Sequence, residues 1–424
     1  MRSVVRIEPR DKTHVGRTAR VVDTVVPEVD ARVALIQALI PLGLEAVAAA
    51  LTAEVERLTG PWYGRTGGRP GLVRWSRRQG SVYLADQKVP VTYTRVRDQW
   101  TRREVPVATY ERLRVPRALD AGLFRKVLQG LSCRRYEACA EAVPEAFGLS
   151  ASTVSRRFIR ASARQLAALQ TRRLDGFDLV ALVLDGKTFA EDAMVVALGI
   201  TATGEKVVLG LVQTATENGR VCTAFLRELV ERGLRSDQGL LCVIDGAKGL
   251  RQAIQTVFGA QAVVQRCQWH KRENIVAYLP RPQQAAWRRR LQQAYERPTY
   301  AEAKAALLRL RRELRLVNES AAASLDEGFE ETLTLHRLGV FPTLGISLKT
   351  TNCLESLNAL VGQYTDKVDR WRTSDQKQRW VAAALLEIEP RLRRIKGGAH
   401  LPQLRAALQA EIAATTISPT AEVA

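Results

Sequence analysis

The feature that most constrains this chain is a pair of apolar runs that each end in Asp-Gly. Leu179-Val180-Ala181-Leu182-Val183-Leu184 runs into Asp185-Gly186, and Leu240-Leu241-Cys242-Val243-Ile244 runs into Asp245-Gly246. Short apolar runs alternating with helical patterns are strands buried between helices. A glycine after each aspartate lets the backbone turn away. The carboxyl edge of such strands is where α/β folds carry their chemistry. After Asp245 a helical pattern runs through Leu250, Ile254 and Phe258. A third apolar run, Ala262-Val263-Val264, then ends in the polar cluster Gln265-Arg266-Cys267-Gln268-Trp269-His270.

A third acid stands in Thr350-Thr351-Asn352-Cys353-Leu354-Glu355-Ser356-Leu357-Asn358, where Glu355 starts a helical pattern with Leu357, Leu360 and Val361. Two strand-borne aspartates and one helix-borne glutamate form the ligand set of a two-metal phosphoryl-transfer site. Mg²⁺ takes hard oxygen donors. Two ions close together activate the attacking oxygen and stabilise the leaving one. Each aspartate alone reads as a turn or cap residue, and Glu319, Glu327, Glu330 and Glu331 compete with Glu355 on residue type. Cys267 and His270 form a Cys-x-x-His pair. Zinc needs two more ligands, which Cys353 and His336 could supply in principle. Otherwise the pair orients a carboxylate, water or phosphate beside the site, or is structural. Lys271 and Arg272 either grip phosphate or are solvated.

The charge balance points to a polyanion. Lys plus Arg total 64 against 44 Asp plus Glu, a net of +20, with arginine dominant. That is the electrostatic footprint of a nucleic-acid partner. No apolar run approaches the ~20 residues of a spanning helix. The N-terminus lacks the apolar core of a secretory signal. Six scattered cysteines suit reduced thiols. A cytoplasmic, nucleoid-associated location is the expectation.

Along the chain, Ala31–Leu58 reads as helix broken at Pro41-Leu42-Gly43. Gly60–Gly80 is Gly- and Arg-rich, a loop or a basic, aromatic-bearing arm on DNA. Ser81–Pro106 alternates as a strand pair. Leu123–Leu131 and Arg134–Val143 read as amphipathic helices. Pro144 starts a short helical turn, and Phe147-Gly148-Leu149-Ser150 is a turn with a cap. Ala151–Ala161 follows as the recognition helix of a helix-turn-helix, with Val154, Phe158 and Ile159 inward and Ser152, Thr153, Ser155, Arg156 and Arg157 outward toward DNA. Met194–Ile200 and Glu205–Val212 form a hairpin. A helix capped by Thr216 then runs to Leu229, closed by Gly233. From Arg281 to about Arg337 the pattern is helical and charged, far longer than a connection requires. Trp371, Arg372, Arg379 and Trp380 form an aromatic-basic helix whose tryptophans either pack or stack on bases.

Taken together, Asp185-Gly186-Lys187, Ile244-Asp245-Gly246, Cys267-Gln268-Trp269-His270-Lys271 and Thr351-Asn352-Cys353-Leu354-Glu355-Ser356-Leu357-Asn358 resemble the motifs of Mutator-type bacterial insertion-sequence transposases. Trp371, Arg379-Trp380 and Arg394-Ile395-Lys396-Gly397 extend the resemblance, which covers about Gly80 to Leu408. The resemblance selects Glu355 as the third acid. It implies a DDE enzyme of α/β class: a ribonuclease-H-like mixed-sheet core (171–280 and 340–411) carrying an all-helical insertion (281–339). Before the core the residue patterns give a small β segment plus helix-turn-helix DNA-binding domain (81–170), the β segment also matching the family it resembles, and an N-terminal helical, basic region (1–80). A flexible tail (412–424) follows. The resemblance further implies two Mg²⁺, replaceable by Mn²⁺, on Asp185, Asp245 and Glu355. The partners would be terminal inverted repeats and target DNA, bound by a homodimer or higher oligomer. A nuclease without strand transfer and an inactive DNA-binding regulator are the rival readings.

Overall fold

The computed structural model describes residues 43–64, 67–84, 88–115, 124–132, 151–189, 192–214, 218–368 and 370–414 with their side chains. It adds the backbone of 4–6, 20–22, 28–42, 87, 121–123 and 415–417. The chain divides into two compact units, Met1–Leu123 with Ser132–Ser155, and Phe124–Leu131 with Arg156–Ala424.

In the first unit, β1 (Val4–Arg6) pairs antiparallel with β2 (Arg20–Val22). Helix α1 (Glu28–Thr59) packs on a sheet of β3 (Leu72–Leu84), β4 (Gln87–Asp98) and β5 (Glu104–Val105). The stripe Val47, Leu51, Val55 and Leu58 meets Val82, Tyr93 and Val96. The expected break at Pro41 does not occur; the helix runs through it, forgoing one backbone bond there. Glu54 projects from α1 and accepts from the Ala108 and Thr109 N–H groups, at 2.9 and 2.8 Å. It thereby caps the first turn of α2 (Ala108–Leu113). The strand pair starts earlier than its alternation suggested, so 72–80 of the expected arm are strand. Trp62 and Trp75 stay exposed, covered by the guanidinium groups of Arg74 and Arg97.

Helix α3 (Ala121–Leu128) ends at Gly130, φ +102°. Helix α4 (Ala151–Thr171) runs a further ten residues past the expected Ala161. Val154 and Phe158 are buried, but Ile159 is 45% exposed, because it lies about 100° round the helix from Phe158. Arg134–Val143, Pro144 and the turn at Phe147–Ser150 lie outside the described residues.

The second unit is built on five strands: β6 (Leu179–Phe189), β7 (Asp192–Thr201), β8 (Lys206–Thr214), β9 (Leu240–Ile244) and β10 (Ala262–Arg266). Their order is β10-β9-β6-β7-β8. The first three in sequence form an antiparallel meander, and β9 and β10 add in parallel on the other side of β6. A parallel pair needs a crossover. It is supplied by α5 (Gly219–Glu231) and α6 (Lys248–Phe258). These helices cover one face, where Leu182, Leu184, Val195, Leu209, Cys242 and Ile244 meet Phe225, Leu229, Ile254 and Phe258. The described cap of α5 is Asn218, which accepts from the Arg220 N–H at 2.9 Å; Thr216 lies outside the described residues.

After β10 the chain is helical: α7 (Gln268–Ala277), α8 (Arg281–Tyr295), α9 (Tyr300–Val317), α10 (Glu319–Asp326), α11 (Phe329–Thr332), α12 (Thr334–Arg337) and α13 (Phe341–Leu348). A separate core of Ile275, Trp287, Leu291, Leu307, Leu314, Leu325 and Leu333 holds α7 to α11 together. Helices α14 (Asn352–Thr365), α15 (Ser374–Ile388) and α16 (Leu401–Ile417) return to the sheet. Trp371 precedes α15. Trp380 packs in the interior against Phe158, and Arg379 is buried on Asp375 and Ser162. Among the described residues no helix is long and apolar enough to cross a membrane.

The turn after β9 depends on Gly246. Its φ is +112°, and a Cβ there would sit inside the buried Arg266 guanidinium. Arg266 cannot yield freely, because it donates to the Glu327 carbonyl at 3.0 Å. Gly246→Ala is expected to lower unfolding free energy by at least about 2 kcal/mol, from left-handed strain plus overpacking. Urea unfolding of the full chain reads this as a lower midpoint at unchanged slope.

Candidate active site

The sheet itself brings two of the three acids together. Leu184 pairs in parallel with Ile244, so Asp185 and Asp245 follow at the same level of adjacent strands. Leu182, Leu184 and Ile244 face α5 and α6. By alternation the two aspartates face the opposite side. Asp185 is 6% exposed. Asp245 spends one oxygen on its own turn, accepting from the Ala247 N–H at 2.9 Å.

Glu355 arrives on the first turn of α14, and its carboxylate lies 3.9 Å from His270 Nε2. His270 stands on the first turn of α7. Its pKa is raised to about 9, chiefly by the contact with the Cys267 sulfur and then by the fields of Asp185 and Asp245. Glu355 therefore stands against the imidazole, and the two aspartates act on it through their fields. Burial alone would push the Cys267 thiol up, but contacts from the His270 ring and from backbone bring it below its ordinary value.

Thr351 is a residue that sequence reasoning quoted but gave no role. It is fully buried. Its hydroxyl lies 3.1 Å from Glu355 Oε1, 3.4 Å from His270 Nδ1 and 3.7 Å from Cys267 Sγ. One hydroxyl proton serves one acceptor at a time, and the carboxylate is both nearest and charged. The only sequence sign was its place four residues before Glu355, one helical turn away. Backbone bonds complete the frame: the Cys267 N–H donates to Ile244 O at 2.7 Å, and the Gln268 N–H to Lys349 O at 2.9 Å.

Among the described residues no group of three or more His, Cys, Asp or Glu is close enough to hold a metal ion. The four-ligand zinc set also fails to assemble. His336 is buried elsewhere, bonded to the Tyr295 and Arg297 carbonyls and stacked on Phe341. Lys271 and Arg272 do not grip phosphate. Lys271 is fully buried, donating to Ser324 O at 2.5 Å beside Glu327, and Arg272 is held by Glu273 and Gln292. On α4, Ser152 and Arg156 are exposed, while Thr153, Ser155 and Arg157 are half-buried.

The family model of Mutator transposases matches residues 103–391, which spans all three acids. The chain belongs to the Mutator family of transposases. A transposase of insertion sequence IS256 in transposon Tn4001 of Staphylococcus aureus is 26% identical over 289 residues, covering 64% of this chain and 70% of that one. The ISRM5 transposase of Rhizobium meliloti is 30% identical over 285 residues, 65% and 69% of the two chains. The IS1081 transposase of Mycobacterium tuberculosis is 28% identical over 290 residues, 65% and 67%. This transposase is thus similar to them over about two thirds of its length.

Two outcomes follow for this transposase. Thr351→Val keeps the shape but removes the hydroxyl from Glu355 and His270. It is expected to cut the rate of DNA cleavage about 10–100-fold, the usual effect of losing a ligand-orienting group, with DNA affinity unchanged in a gel-shift titration. Lys271 has a pKa depressed to about 8 by burial and by Arg266. The folded state thus binds fewer protons than the unfolded one between about pH 8 and the ordinary lysine value, so stability rises with pH in that window. Measured against Lys271→Met, wild-type unfolding free energy is expected to climb from pH 8 to pH 10.

Proposed function

We propose that this transposase cuts DNA at the ends of its insertion sequence and joins the freed 3′ ends to target DNA at a single site formed by Asp185, Asp245 and Glu355. The observation that carries this reading is the placement of Asp185 and Asp245 at one level of adjacent parallel strands, with Glu355 beside His270, 3.9 Å from its Nε2. The strand order, an antiparallel meander extended by two parallel strands, is what a ribonuclease-H-like core requires, and the helices between β10 and α14 suit an insertion in it.

The donor set fits a hard divalent cation in kind. All three groups are carboxylates, the hard oxygen donors such a cation takes; the fields of Asp185 and Asp245 also add to the rise in the His270 pKa that the Cys267 sulfur chiefly causes. Mg²⁺, or Mn²⁺ in its place, would be held by Asp185, Asp245 and Glu355; when bound it supplies the charge neutralisation and oxygen activation that phosphoryl transfer needs. The protein's own groups do the rest. Thr351 fixes the Glu355 carboxylate. His270, protonated at neutral pH, stands beside Glu355 and can donate to a phosphate oxygen. Buried Asp185 places one of the three carboxyl groups where solvent is scarce.

DNA is engaged, in this reading, by α4 acting as a recognition helix. Exposed Ser152 and Arg156 meet the major groove, with Thr153, Ser155 and Arg157 flanking them. Pairing two element ends calls for at least a dimer on DNA.

The test is a cleavage and joining assay with Mg²⁺ on DNA carrying the terminal repeats, comparing wild type with Asp245→Ala. Wild type is expected to yield joined strands, and the variant to bind DNA but form no product. Nicks without joined strands would point to a plain nuclease. Equal cutting by both proteins would remove Asp245 from the chemistry. Binding by both with no cutting would leave a DNA-binding regulator.

A further inference from the structure

A cavity lies next to the three acids, on elements that already carry two of them. Along β6, Asp185, Lys187 and Phe189 share one face. Along α14, Glu355, Asn358, Val361 and Thr365 share one stripe. Lys187 Nζ donates to the Asn358 carbonyl at 3.4 Å, joining strand and helix. Beyond that bridge both surfaces open into a cavity of about 230 Å³, lined among others by Lys187, Phe189, Met194, Val361, Asp366 and Trp371. Phe189 and Trp371 meet edge to face at 4.9 Å, and Trp371 is backed by Trp380 at 6.0 Å.

We propose that this cavity receives one unstacked nucleobase from the DNA strand whose phosphate lies at Asp185, Asp245 and Glu355; the proposal rests on the function argued above. Size is the first argument. A cavity of about 150 Å³ takes benzene, and drug-sized ligands need about 300 Å³ or more. The space therefore suits one heteroaromatic base. Position is the second. At about 3.3 Å per strand residue, Lys187 stands about 7 Å and Phe189 about 13 Å from Asp185, within reach of a nucleotide close to the phosphate being cut.

Charge complementarity is the third argument. Exposed Lys187 lines the cavity, and exposed Arg370 and Arg372 flank Trp371 in the chain; phosphates beside an extruded base would meet them. The walls are aromatic and aliphatic, while Asp366 is placed for an amino edge of the base. Stacking on an aromatic side chain offsets the free energy that unstacking a base costs. An occupied cavity would hold the strand in one register at the cut.

The test places 2-aminopurine singly at successive positions beside the cleaved bond, in a duplex bearing the terminal repeat. Fluorescence is read on binding the full-length protein without divalent cation. Wild type and Asp245→Ala are both expected to change the signal at one position by at least about twofold, the mark of a base leaving the stack. Trp371→Ala, which strips the stacking wall, and Val361→Phe, which fills the cavity, are expected to bind the duplex and lose that change. An abasic residue at the same position is expected to restore cleavage by Val361→Phe to within about threefold of wild type, because no base then needs the space. The proposal is overturned if no position responds, or if the response survives in both cavity variants. Should Val361→Phe fail to fold, the half-exposed Trp371→Ala decides alone. A position-specific response without cleavage by wild type would keep the cavity and overturn the chemistry. Cleavage without any such response would do the reverse.

Discussion

The site depends first on the parallel ladder between β6 and β9. Because Leu184 pairs with Ile244, two aspartates sixty positions apart leave the sheet at one level and on one face. A slip of one residue in that register would turn one of them into the apolar layer under α5 and α6. The register is guarded from both sides. The apolar face is filled by Leu182, Leu184, Cys242 and Ile244, and the turn that releases Asp245 is shaped by Gly246 over the Arg266 guanidinium. Packing thus gathers two carboxyl groups at one edge of the sheet, as a site for a cation or a positively charged donor requires.

His270 is the answer within the chain to that accumulated charge. It is held by contacts on several sides: the Cys267 sulfur behind it, Thr351 beside it and Glu355 in front. The Cys-x-x-His spacing, which invites a zinc reading, instead places a buried sulfur and an imidazole on one turn of chain so that each shifts the other. Thr351 joins this pair to the third acid. The cluster thus couples α7 to α14, and the Gln268–Lys349 backbone bond ties the chain just ahead of α14 to the same turn.

Much of this was legible in the sequence. The apolar runs ending at Asp185 and Asp245, the hairpin between Thr201 and Glu205, and the helical character of 281–337 all follow from local pattern, and the structure has them. What local pattern cannot carry is partnership across the chain. Nothing near Lys271 says that it will be buried against Ser324 and Glu327, or that Arg379 will end on Ser162. Nothing near Thr351 says that three polar groups from two helices will meet its hydroxyl. Pro41 shows the converse, a strong local breaker that the helix runs through. Ile159 shows the limit of periodicity, since a two-residue apolar pair on a helix buries one member and exposes the other.

The helices between β10 and α14 raise a separate physical question, because Glu355 must return to a site that Asp245 left 110 positions earlier. A flexible excursion of that length would carry a closure entropy that grows with the logarithm of its length. Here the excursion has its own core, from Ile275 to Leu333, and it is fastened to β10 by polar contacts. Gln265 and Gln268 donate to the Thr332 carbonyl, Thr334 donates to the Val264 carbonyl, and the Gln265 side chain accepts from the Leu335 N–H. These bonds are buried, where an unmade partner costs more than a made one gains. They therefore act as a locating device more than as a source of stability. Lys271, which the sequence left between gripping phosphate and solvation, and Arg266 are used for the same purpose at Ser324 and Glu327. In this part of the molecule positive charge close to the acids positions the polypeptide, while Lys187, Arg370 and Arg372 stand exposed.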